Sequence, residues 1–292
     1  MELAEYIDAV QLRTPYAAPE DIPQSENDRS TLLDRLVTCP ALVPVIRHFT
    51  SDSMDTLPYH KKRQLLQASL PVLPSNTLDA VMTGLLSRLL QAELLDTPLT
   101  PLSSLPSMRM VGSSTIALWK GDITTLSTPG AIINAANDQM LGCFQPFHKC
   151  IDNVIHSKAG VQLRDDCQTI MDRQGRAEPT GTAKITRGYN LPSAYVLHTV
   201  GPIVRGEVTP KHRSLLQSCY TSCLDLAAEV GLREVAFCSI STGVFGYPIQ
   251  PASEAAVQAV TAWLQTHPGV MDTVLFNVFS DRDLAVYRGI LE

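Results

Sequence analysis

Cys143, His148 and Cys150 fall in one short stretch, GCFQPFHKC, at residues 142–150. Two potential thiolates and an imidazole form a borderline-soft donor set, which suits zinc better than calcium or magnesium. Structural zinc sites normally close with four protein ligands, whereas three leave a position for water or substrate. A remote fourth ligand would undo that inference. His148 and Cys150 are two residues apart, so a helix would aim them to different sides; Gly142 and Pro146 mark a loop, which can turn all three donors inward. The alternative is two buried thiols and an unrelated histidine.

Residues 151–173 read as one helix, with Ile151, Ile155, Ala159, Leu163 and Ile170 at roughly helical spacing. Asp152 then sits in the first turn, where the helix dipole favours an ionised carboxylate able to orient or deprotonate a hydroxyl or water. Taken alone it reads first as a plain helix-start residue. His156, one turn on, could assist it or simply pack. Upstream, Asn134-Ala135-Ala136-Asn137 offers amides that fit a vicinal diol, beside small residues that admit a ligand to the backbone. Asparagines also simply end strands. Asp122, after the opening strand, could accept from an exocyclic amine such as that of adenine, or cap a turn. SISTGVFGYP (239–248) places Gly243 and Gly246 between an apolar strand and a helix, where successive amides could cradle a diphosphate.

These residues need a scaffold. The chain is 292 residues long, 45% hydrophobic and 18% charged, which indicates a globular protein with one large core and an extension, or two domains. The first hundred residues predict helices with polar joints: 14–30 as an extended lead-in, two short helices within 31–49, another at 61–69, and an amphipathic one at 77–95 capped by Asn76 or Thr77. Three prolines among residues 97–108 read as a linker, dividing a helical extension (1–108) from a second domain (109–292). Beyond it, strands at 114–119, 131–134, 182–189, 195–199, 234–240 and 274–279 alternate with helices at 151–173, 212–230, 251–266 and 281–291. Such alternation predicts a three-layer α/β/α fold, whose ligands bind outside the carboxyl ends of the strands. Trp119 and Trp263 read as core, and His198 as an anchor at a strand end.

A net charge of −6 without clustered Lys or Arg argues against a nucleic-acid partner. No apolar run approaches a membrane span and MELAEYIDAV has no leader pattern, so a cytoplasmic, membrane-free protein is expected. Seven cysteines without a disulfide framework agree with a reducing compartment. Cys219 and Cys223, four apart on a helix, read as buried small residues or as a second pair of metal donors.

GDIT, IINAAN, IDNVIHSKAG, HTVGP and STGVFGYP, in this order across about residues 110–290, resemble the macrodomain family, modules that bind ADP-ribose and in several branches hydrolyse it from proteins. The family usually has a glycine run before its catalytic helix; GCFQPFHKC stands there instead and, with the helical extension, is similar to the zinc-containing macrodomains of microbes. The resemblance implies a mixed central sheet and gives the residues roles. Asp122, with Ile123 beside it, would bind the adenine amine; Asn137 the distal ribose; Ser241, Thr242, Gly243, Val244, Phe245 and Gly246 the diphosphate; Asp152 and Asn137 would be the catalytic pair. Cys143, His148 and Cys150 would hold Zn2+, and Asn277 or Phe279 would flank adenine. The implied activity is removal of mono-ADP-ribose from a modified protein, acyl-linked through Asp or Glu, with ADP-ribose as product ligand. Zinc would polarise a water or ribose hydroxyl, or only position the ribose. A non-catalytic ADP-ribose reader and an O-acetyl-ADP-ribose deacetylase are the alternatives.

Overall fold

A computed structural model describes residues 1–292, the side chain of Pro129 excepted. Eight strands form one sheet: β1 (Thr100–Pro101), β2 (Ser107–Val111), β3 (Ser114–Lys120), β4 (Leu126–Ala136), β5 (Ala183–Arg187), β6 (Ser193–Val200), β7 (Glu234–Phe237) and β8 (Thr273–Val278). Their spatial order is β2-β3-β8-β7-β4-β6-β5, with the short β1 pairing alongside β4. The centre from β3 to β6 is parallel, and β2 and β5 run antiparallel at the edges. Mixed pairing of this kind matches the three-layer expectation.

Burial along the central strands explains the layers. Ile132 and Ile133 are neighbours on β4 and are both fully buried, as are Val274 and Leu275 on β8. Successive strand residues point to opposite faces, so a sheet with both neighbours buried must be covered on both sides. Nine α-helices are present among the described residues: α1 (Glu26–Val37), α2 (Val43–Ile46), α3 (Tyr59–Ser69), α4 (Ala80–Leu95), α5 (Ile151–Ala159), α6 (Val161–Gln174), α7 (Pro210–Glu229), α8 (Ile249–Thr266) and α9 (Asp281–Leu291). Helices α7, α8 and α9 pack side by side; α5 packs on β4 and α6 on β5.

The helix expected over 151–173 is two helices. Gly160 breaks it with φ +93° and ψ 179°, and a Cβ there would lie 3.0 Å from Asn190 Nδ2 and 3.3 Å from Leu90 Cδ1. One interposed residue barely shifts the apolar spacing, so periodicity ran through the break. The segment expected to be a linker is also partly sheet, since β1 pairs with β4 and β2 with β3. Ser25 caps α1 and Asp79 caps α4, the first inside the expected lead-in and the second two or three residues past the expected cap at Asn76 or Thr77.

Helices α1 to α4 enclose a core of their own, with Leu33, Leu36, Leu66, Leu86 and Leu89 fully buried. Residues before α1 do not join it. Leu3, Tyr6, Val10 and Leu12 belong to the core of the sheet, and the Tyr6 hydroxyl accepts from Ile185 N on β5 at 3.1 Å. The extension therefore straddles the sheet domain, with its first residues on one part and α4 against another.

Gly160→Ala tests the break. Its backbone conformation is almost confined to glycine, so the substitution should lower stability by about 2 kcal/mol, read as a fall in the urea midpoint. An unchanged midpoint would show that the α5–α6 junction tolerates a side chain.

Candidate active site

The motifs converge because four adjacent parallel strands end together. Asp122 follows β3, Phe279 follows β8, the 238–247 loop follows β7, and Asn137 follows β4, in the order in which these strands pair. This line of carboxyl ends is where an α/β sheet leaves a crevice.

At the β4 end the loop to α5 gathers the metal-type donors. The donor atoms of Cys143, His148 and Cys150 all lie within 4.8 Å of one another, and Cys143 Sγ is 3.2 Å from His148 Nδ1. Sulfur and nitrogen on one zinc are about 3.5 Å apart for tetrahedral bonds of ordinary length, so the spacing fits a zinc-sized cation. The group comprises three residues; among the described residues no fourth His, Cys, Asp or Glu joins it. Burial pushes the Cys150 thiol up to about 12, with Cys143 and Asp152 adding to the shift. Two thiols held this close form a donor set that, as thiolates, a divalent ion would neutralise.

The backbone reaches this arrangement through a turn in which His148 N donates to Gln145 O at 3.2 Å, with Pro146 and Phe147 between them and Phe147 at φ +58°. A left-handed phenylalanine is strained, and it turns His148 back toward Cys143. Side chains hold the rest of the loop. Asn137 Nδ2 donates to Gly142 O at 3.0 Å; Asn153 Nδ2 donates to His148 O at 2.7 Å and Gln145 O at 3.3 Å. Arg164 Nε donates to Leu141 O at 2.7 Å.

Helix α5 begins directly after Cys150, whose sulfur accepts from Asn153 N, and this puts Asp152 in its first turn. Asp152 is 4% exposed, and Asn134 Nδ2 donates to its Oδ1 at 2.8 Å. Burial raises its carboxyl to about 6; the Asn134 hydrogen bond and the Arg164 charge pull the other way. His156 Nε2 lies 3.4 Å from Asp152 Oδ1 but makes no hydrogen bond, and burial with the nearby Arg164 keeps the imidazole uncharged. This contact is packing rather than an ion pair.

Behind Asn134 stands His198, its register partner on β6. Asn134 Nδ2 also points at His198 Nδ1 at 3.2 Å, and His198 Nε2 is 2.9 Å from Thr186 Oγ1. An amide nitrogen only donates, so Nδ1 accepts and Nε2 carries the proton toward Thr186. Burial lowers His198 to about 3, consistent with a neutral ring. His198 is thus an inner support of the Asp152 carboxylate rather than only a strand-end anchor.

The 238–247 loop is built as a cradle. Ser241 sits at φ +65° and Gly246 at φ +72°; Tyr247 N bonds Ser241 O, and Val204 N bonds Phe245 O at 2.8 Å. Among the described residues the amides of Gly243, Val244 and Phe245 donate to no protein acceptor, and the buried Ser241 hydroxyl has no partner. Thr242 Oγ1 is used internally, on Ser239 O. At the far end Asp122 Oδ1 accepts from Thr124 N and Oγ1, which leaves Oδ2 outside the turn, while Ile123 is buried. Asn277 Nδ2 ties β8 to Gly121 O at 3.0 Å, whereas Phe279 is 82% exposed. Trp263 is core, Trp119 only half-buried over Gly121. Cys219 and Cys223 are buried, Cys219 Sγ pointing at the Val200 and Leu215 carbonyls.

The sequence matches the profile of the Macro domain over residues 133–256. A protein-ADP-ribose hydrolase of Treponema medium is 46% identical over 231 residues, 79% of this chain and 88% of that one. The chain belongs to the macrodomain family. Among solved structures, a macrodomain mutant of Oceanobacillus iheyensis with ADPR is 37% identical, covering 63% of this chain and 95% of its own at a TM-score of 0.57. The macrodomain of Trypanosoma brucei is 28% identical at a TM-score of 0.58 and covers 94% of this chain and 96% of its own, so the likeness reaches into the helical extension.

Asn153 and Arg164 were not legible in the sequence, and Asn134, read there as an amide for a diol, turns instead to Asp152. Asn134 stood in the NAAN motif, but only the register of β4 against β6 turns it inward to Asp152. Asn153 and Arg164 bond backbone carbonyls, which carry no residue signature.

Two glycines of the cradle should differ. A Cβ at Gly243 meets nothing within 4 Å, whereas at Gly246 it would lie 2.8 Å from Val204 O on a backbone of φ +72°. Gly243→Ala should leave the thermal midpoint unchanged and Gly246→Ala should cost about 1–3 kcal/mol; equal melting of the two variants would contradict the cradle geometry.

Proposed function

We propose that this macrodomain is a zinc-dependent hydrolase that removes mono-ADP-ribose from modified proteins, preferentially from acyl esters of Asp or Glu. The observation that carries the reading is the place of Asp152: a buried carboxylate held by Asn134, in the first turn of the helix that begins at Cys150. Support also comes from relatives named protein-ADP-ribose hydrolase, including one of Staphylococcus aureus that is 47% identical over 75% of this chain.

In this reading the cradle of Ser241, Thr242, Gly243, Val244, Phe245 and Gly246 binds the diphosphate through free amides, which serve as well as lysines for a dianion near a helix start. Asp122 Oδ2 takes the adenine amine, and Phe279, exposed at the end of β8, supplies a face for the base. Asn137 keeps one N–H and one lone pair beyond its bonds to Gly142 O and Gln139 N, enough to hold the distal ribose. Asp152 accepts a proton from the attacking water or hydroxyl and gives it up to the departing oxygen or to solvent. Cys143, His148 and Cys150 would hold zinc, which would supply Lewis acidity and help orient the reacting oxygen. The net reaction consumes one water and yields ADP-ribose and the free protein carboxylate.

Metal analysis of protein purified without added metal should find near-stoichiometric zinc, lost in Cys143→Ser and Cys150→Ser variants that still melt cooperatively. Zinc content unaffected by both substitutions would rule out this ligand set.

Asp152→Asn should lower release of ADP-ribose from a Glu-modified protein by about 100-fold or more while ADP-ribose binding, measured by calorimetry, changes only several-fold. Binding without turnover by the zinc-loaded wild type would make the protein a reader. Turnover confined to O-acetyl-ADP-ribose, or to Ser- or Arg-linked protein, would replace the substrate assignment.

A further inference from the structure

Arg164 is a cation that is only 4% exposed, and among the described residues it forms no ion pair. Its donors go to backbone carbonyls of two separate regions. On one side Nε donates to Leu141 O at 2.7 Å, two residues before Cys143. On the other, Nη1 donates to Leu70 O at 2.9 Å and to Leu73 O. Leu70 follows α3 and opens the 3-10 turn Leu70–Val72, so these are the outward carbonyls at a helix C-terminus, where a cation is favoured. The guanidinium also lies 5.1 Å from the centre of the Phe144 ring, inside the loop. Gly142, between Leu141 and Cys143, is packed so closely that a Cβ would meet the His156 ring at 3.1 Å and Arg164 Nη2 at 3.3 Å.

The geometry points to Arg164 as a positioning residue for the 141–150 loop, fastening the loop's first carbonyl to the C-terminal end of α3 so that the helical extension is built into the metal site. Asn137 and Asn153 hold the later carbonyls from within the macrodomain; Arg164 alone of the three also bonds the extension. A guanidinium spans two directions with a fixed planar fork, which an ammonium cannot imitate. Burying a charge this deeply costs several kcal/mol unless its donors are occupied, and the only acceptors supplied are these carbonyls. The clamp needs both the loop and the extension in place. The zinc readout below rests on the proposed metal site, and the loop readout does not.

Arg164→Lys and Arg164→Gln in the full chain should raise hydrogen–deuterium exchange of the 141–150 amides at least tenfold without metal. They should also weaken zinc binding at least tenfold in competition with a chromogenic chelator. Ser75→Ala/Asp165→Ala removes the bonds from Ser75 Oγ to Gln168 (3.0 Å) and from Asn76 N to Asp165 (2.6 Å), which seat the segment after α3 on α6. It should move both readouts the same way by a smaller factor. Arg63→Gln, which breaks the Arg63–Glu93 pair inside the extension, should lower the melting temperature and move neither. Folded Arg164 variants with wild-type loop exchange and zinc affinity would overturn the clamp. Should they not fold, unchanged loop exchange in Ser75→Ala/Asp165→Ala would overturn it instead. A wild type that takes up no zinc would sink the metal assignment, and loop exchange alone would then decide the clamp.

Discussion

Between β4 and α5 the chain must bring two thiols and an imidazole together with almost no regular backbone pairing to help. Within 141–150 one turn bond, His148 N to Gln145 O, is the backbone's own contribution among the described residues. Four carbonyls of the stretch, those of Leu141, Gly142, Gln145 and His148, are instead fixed by side chains of Arg164, Asn137 and Asn153. A loop held this way has its conformation set by its surroundings rather than by its own propensities, and it tolerates a left-handed Phe147 because the surroundings over-determine it. The convergence of the three donors depends on that external hold.

A second constraint lies beneath it. Asp152, Asn134, His198 and Thr186 form a buried chain running from the helix start through the centre of the sheet to its edge strand. Each member fixes the next: the carboxylate orients the amide, the amide sets the imidazole tautomer, and the tautomer points the proton at the threonine. Buried polar groups are tolerable when joined like this, and the same joining restricts the carboxylate to one rotamer. A charge-assisted bond from an amide is worth about 1.5–3 kcal/mol, and here it offsets only part of the burial, which still leaves the Asp152 carboxyl raised to about 6.

Loop and chain meet at α5. Cys150 ends the loop and caps the helix, Asp152 is two residues on, and Asn153 reaches back to the loop carbonyls. One helical turn therefore carries a metal-type donor, the buried carboxylate and a brace. Rigid placement of this turn on β4 is what the three-layer fold contributes, and the extension adds a further contact through the end of α3.

The amino-acid sequence by itself determined six of the eight strands and most helices of the sheet domain, though not β1, β2 or the α5–α6 break, because apolar runs and spacing depend only on which residues must be buried. It also determined the chemical types available at the strand ends: Asp122, Asn137, the Cys143–His148–Cys150 donors, Asp152 and the glycine cradle. Tertiary structure alone decided which of these touch. The break at Gly160 sits where a side chain would crowd Asn190 and Leu90, which are distant in sequence. Asn277 became a strand tie and Phe279 an exposed ring because one points along the sheet at Gly121 and the other leaves it. Asn134 and Arg164 gained their parts from β-register and from backbone carbonyls 91–94 residues away. Spacing along a chain encodes faces and periods, whereas a hydrogen bond to a remote carbonyl leaves no mark on the residue that offers it.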